Sequence, residues 1–180
     1  MSSHPTAPAP VLSLARAPLW LLCALLLAFA PAVQAQTQPA ATPQRPAFFL
    51  EDASPRPLVP TVEVFTETVR AHGWSMLSVM NMAGVLSERG FTVLPVLILE
   101  PCSGRFSADL LDNDETRFVA SMIPCRVAIY QLSDGRIIIS RLNSAAMADM
   151  IGGHAGTVMR ESGAELERII RATLDRLARP

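Results

Sequence analysis

The stretch MIPCRVAIYQLSDGRIIISRLN, Met122 to Asn143, constrains the fold more than any other part of this chain. Two runs rich in Val, Ile, Tyr and Leu, Arg126–Leu132 and Arg136–Leu142, flank Asp134-Gly135. An Asp-Gly pair between two such runs is the strongest short hairpin signal, because a type I′ turn needs positive φ at both central residues. A two-residue turn sets Ser133 opposite Arg136. It follows that Ile129 faces Ser140 and Val127 faces Leu142. Cys125 then precedes the first strand, level with Ser144.

The rest of the domain supplies helices and further strands. TVEVFTETVRAHG predicts a helix started by Pro60 and Thr61, with Val62, Phe65 and Val69 at helical spacing and Gly73 as its stop. WSMLSVM reads as a strand and MAGVLSERG as a short helix ended by Gly90. TVLPVLILE is apolar on both faces and reads as a buried strand, with Pro95 marking an unpaired edge. Two short helices are expected at Phe106–Leu111 and Glu115–Met122. Ser144 is placed to cap a helix through Ile151, stopped by Gly152-Gly153. Thr157 to Leu177 forms a long amphipathic helix, with Met159, Leu166, Ile169, Ile170, Thr173 and Leu177 on one stripe. Gly163 weakens that helix by about 1 kcal/mol relative to Ala. Helices and antiparallel strands in one chain predict an α+β fold, a curved sheet packed against helices.

The N-terminus has the features of an export signal. Arg16 precedes an uncharged apolar run from about Leu19 to Ala30, and small residues follow to Ala35. The run is short for a membrane span, which needs about 20 residues. Residues 1–35 therefore read as a signal peptide cleaved after Ala35, leaving no stable membrane span, with the bacterial periplasm as the destination. An uncleaved anchor is the alternative. Residues 36–60 carry six prolines and read as a linker. AFFLED, within it, is able to add one short strand, so the folded part starts near Phe48 or near Thr61; the domain is assigned to 61–180.

Composition excludes several functions. The 180 residues carry a formal net charge of −1, so no basic surface argues for nucleic acid. The chain has no lysine, which rules out lysine Schiff bases and a Walker-type phosphate loop. One tyrosine and two tryptophans offer little for base stacking. No Ser-His-Asp set, zinc-protease motif or dinucleotide fingerprint occurs. Asp112, Asp114 and Glu115 lack the spacing of a calcium loop and read as a solvated turn.

GFTVLPVLILEPC, then ASMIPCRVAIYQLSDGRIIISRLN, then a small-residue break and a final amphipathic helix resemble the domain of unknown function 302 family (DUF 302). ETVRAHGW is similar to that family's first helix and its Gly-Trp exit. The resemblance spans about Thr61 to Leu177. It implies a small α+β domain and no particular activity. It also implies a pair of cysteines, one at the end of the buried strand (Cys102) and one in the Pro-Cys turn (Cys125). The chain departs from the family pattern at two places. Relatives carry Cys-Asn-Pro where this chain has Cys102-Ser103-Gly104, and some carry a histidine after Gly-Trp where this chain has Ser75-Met76-Leu77-Ser78.

With Cys23 removed in the signal, Cys102 and Cys125 are the thiols of the mature chain. They converge if the two strands are antiparallel neighbours and lie at opposite ends if the crossover is parallel. Three readings stand: buried apolar thiols; a disulfide worth about 3 kcal/mol on the loop-entropy model; or a working pair that exchanges thiols or binds a soft metal. Two thiolates alone do not complete a zinc site. Copper(I) accepts fewer, softer ligands, and Met76, Met80, Met82, Met122, Met147 and Met150 are available. Supporting candidates are Arg126, Tyr130 and His154. His72 reads as a helix C-terminal cap. Arg126 and Arg141 lie near the hairpin base, where they bind an anion or pair with nearby acids.

The sequence thus predicts an exported, non-enzymatic binding or accessory module with its site at Cys102 and Cys125. The alternative is a thiol-redox or copper-like metal-handling protein, and a third class is a self-associating structural domain. No cofactor is specified. The partner is a small ligand, a soft metal or a protein, with a homodimer also open.

Overall fold

The structure, a computed structural model, describes residues 46–180. The signal segment and residues 36–45 of the expected linker lie outside the described residues. Strand β1 spans Phe49–Ser54, helix α1 Leu58–Ala71, β2 Ser75–Asn81, α2 Met82–Ser87 and β3 Val96–Cys102. Helix α3 (Gly104–Leu111) and a 3₁₀ segment (Arg117–Met122) lead to β4 (Val127–Gln131) and β5 (Ile137–Leu142). Helices α4 (Ser144–Ile151) and α5 (Gly153–Ala178) end the fold. The five strands form one antiparallel sheet in the order β1-β5-β4-β3-β2. This is the expected α+β architecture.

One face of the sheet carries the core. Leu99, Val127, Ile129 and Ile139 meet Phe65 and Val69 of α1 and Ile169 and Ile170 of α5, and all eight are 0 % exposed. The apolar stripe expected on α5 is buried as read. Helix α1 ends with the N–H of Trp74 donating to Val69 O and that of Gly73 to Arg70 O, around Gly73 at φ +76°. His72 Nδ1 lies 2.8 Å from Thr68 O, the capping role expected of it.

The structure revises the hairpin register. Val127 pairs with Arg141 and Ile129 with Ile139, one residue away from the two-residue-turn arrangement. The loop has three residues, Ser133 to Gly135, closed by Leu132 N–H donating to Arg136 O. Only Gly135 takes positive φ, so the turn is not type I′. Asp134 instead accepts from the backbone N–H and the Nε of Arg136. A one-residue slip exchanges the faces of a strand. Here it puts Ile137, Ile139 and Arg141 toward the helices.

Four boundaries also shift. Residues 49–60 belong to the folded domain: β1 pairs with β5, and α1 starts at Leu58. Pro57 and Pro60 sit at the start of α1, where a missing N–H costs nothing. Strand β3 starts after Pro95 and is paired on both sides, so Pro95 marks no open edge. Asn143, not Ser144, caps α4, its side chain accepting from Ala146 N–H. Helix α5 begins at Gly153, because Gly152 and Gly153 reverse the chain within two residues at φ +69° and +58°. Gly163 has a packing reason. A Cβ there would lie 2.4 Å from Ser144 Cβ, so α4 and α5 cross too closely for any side chain at that position.

Candidate functional site

Because β3 and β4 are antiparallel neighbours, the end of one meets the start of the other. The register Leu99↔Val127, continued outward, sets Cys102 level with Pro124. Cys102 and Cys125 are both free thiols, and both line a cavity of about 30 Å³. Trp74, Phe106, Leu110 and Ile123 supply its apolar wall. Trp74 and Phe106 meet edge-to-face at 6.3 Å, and Trp74 Nε1 donates to Glu165 at 2.8 Å. Cys102 Sγ lies 3.2 Å from Ser107 Oγ.

Burial pushes the Cys125 thiol up to about 11. The neighbouring Cys102 adds to the rise, and a backbone hydrogen bond opposes it. At neutral pH the Cys125 thiol is therefore protonated, which is the opposite of the lowered value that activates a nucleophilic cysteine.

Cys125 also lines a second, larger cavity of about 70 Å³. Met122 enters it from the 3₁₀ segment, Met147 from α4, and Met159 and Leu166 from α5. The hydroxyl-bearing Ser144 and Ser162 complete this part of the wall together with Arg141. Arg141 is 6 % exposed at its side chain and is held from two sides. Its guanidinium donates to Glu167 through two nitrogens, at 2.9 and 2.5 Å, and to Asp52 through a third. Burial alone would lower the Arg141 pKa; the two carboxylates outweigh it and hold it above the ordinary guanidinium value.

Of the supporting candidates, Arg126 reaches the larger cavity and Tyr130 and His154 do not. Arg126 lines the larger cavity beside Cys125 and Arg141, is 72 % exposed at its side chain and pairs with Glu100 at 3.3 Å. The two arginines meet at this cavity, and each pairs with acids. The Tyr130 hydroxyl donates to Glu51 Oε1 at 2.6 Å on the sheet's open face and lines neither cysteine cavity. His154 lies in the first turn of α5, with Nε2 2.8 Å from Asp109 Oδ1. It too lines neither cavity. Of the six methionines considered, Met122 and Met147 line the larger cavity together with Cys125. Met80 and Met82 line the open sheet face, Met76 packs on the core, and Met150 is exposed. Met159 was hidden in the sequence by the apolar stripe of α5, where a methionine reads as packing. Among the described residues no group of three or more His, Cys, Asp or Glu is placed to hold a metal ion. Among them, too, no helix is long and apolar enough to cross a membrane.

Comparison with known proteins agrees with this architecture. A crystal structure of an uncharacterized conserved protein DUF302 from Bacillus stearothermophilus superposes with a TM-score of 0.61, covering 73 % of this chain and 99 % of that one at 24 % identity. That likeness speaks to the fold. No curated protein matches. The family model for the domain of unknown function DUF302 matches residues 52–175, which includes β1 residues and both cysteines. The chain belongs to the DUF302 family.

Proposed function

We propose that this DUF302 domain is an exported, non-catalytic binding module whose ligand engages the sheet end marked by Cys102 and Cys125. The observation that carries the reading is the position of Cys125, which lines two apolar cavities at once, one shared with Cys102. A site of this kind, apolar with few polar groups, suits binding. The raised Cys125 thiol disfavours thiol exchange, since exchange runs through the thiolate. Export is supported by Arg16, the apolar run after it and the small residues ending at Ala35.

The test is turnover. Reduced protein is mixed with glutathione disulfide and excess reductant-coupled readout, and the rate is compared with that of Cys125→Ser. The expected result is no rate above the variant. Multiple turnovers lost in Cys125→Ser would replace this reading with the redox one.

A further inference from the structure

We infer that the larger cavity is a site for one soft monovalent cation, copper(I) or silver(I), held by the sulfurs of Cys125, Met122, Met147 and Met159. This deepens the binding reading and rests on it. The four sulfur residues come from the segment before β4, from α4 and from α5, and they meet around one cavity of about 70 Å³. No carboxylate or imidazole lines that cavity. Thiolate and thioether donors select copper(I) over harder ions, which need oxygen or nitrogen ligands. The space exceeds the roughly 10–15 Å³ that a single water needs, so a bare ion with its donors fits without prising the core apart.

Charge favours a cation as well. Two cationic side chains stand in the wall, and each is paired: Arg141 faces the carboxylates of Asp52 and Glu167, and Arg126 pairs with Glu100. Two guanidinium groups and three carboxylates sum to one negative charge around the cavity. Binding replaces a proton: Cys125–SH plus M⁺ gives Cys125–S–M plus H⁺, which leaves to solvent. Neither sulfur nor metal changes oxidation state.

The experiment uses the full chain in a Cys23→Ser background, reduced and kept under argon. Silver(I), and copper(I) buffered by a competing chelator, are titrated in. The expected result is one ion per chain, one proton released per ion, and apparent affinity rising about tenfold per pH unit between pH 6 and 8. Cys125→Ser weakens binding by about a hundredfold or more, and the volume-conserving pair Met122→Leu with Met147→Leu by about tenfold or more. Cys102→Ser changes it less than about threefold, because Cys102 does not line this cavity.

Wild-type affinity in the double-leucine variant, with binding lost in Cys102→Ser, would overturn the donor set and assign the ion to the two thiols. Absence of one-to-one binding would overturn the site altogether. Both results leave the binding-module reading standing, since that reading falls on catalytic turnover and not on metal affinity.

Discussion

Raising the pH from 8 to 11 separates a buried, protonated Cys125 from an exposed one. The folded state holds that thiol at about 11, against 9.0 for an ordinary thiol. The folded chain therefore keeps its proton where the unfolded chain has lost it. The stabilising contribution is complete below pH 9 and is lost as the pH rises toward 11. Two pH units at about 1.4 kcal/mol each make a loss of about 3 kcal/mol. The composition makes this window unusually clean: the chain has no lysine and one tyrosine. Urea unfolding with excess reductant at pH 8, 9, 10 and 11 reads the loss. Cys125→Ala should be less stable at pH 8 yet flatter by about 2 kcal/mol across the series, since the last part of the loss falls above pH 11. Equal slopes in wild type and Cys125→Ala would refute the argument, because the thiol would then ionise alike in both states.

Two further outcomes follow from packing and charge. Gly163→Ala should lower stability by about 0–2 kcal/mol in thermal or urea unfolding, since overpacking costs about 1–3 kcal/mol and better helix propensity returns about 1; a stabilised variant would mean that α4 and α5 do not touch at Ser144. Glu167→Ala should cost about 3 kcal/mol by stranding the buried Arg141, whereas Asp52→Ala, at a more exposed carboxylate, should cost about 1 kcal/mol.

Elements whose signal is local were legible in the sequence. The stripe on α5 is a 3.6-residue pattern within one segment, and the two hairpin strands are apolar runs with a turn between them. The register was not legible, because it depends on how Asp134 uses its side chain. By bonding Arg136 it favours a three-residue loop, and that choice decides whether Arg141 or Leu142 turns toward the helices. Pro55, Pro57 and Pro60 look like linker residues, although the last two stand where a helix begins. The cysteine pair was visible as two residues, but its convergence rests on β3 and β4 being antiparallel neighbours, which is a property of the whole sheet. The methionines around Cys125 come from three separate segments and share no motif.

The most direct test of the central claim is a native intact mass of the protein purified from the exported fraction without reductant. The account predicts a chain with no bond between Cys102 and Cys125, carrying an added mass that Cys125→Ser loses. A chain lighter by two hydrogens, with Cys102 joined to Cys125 by peptide mapping, would contradict it.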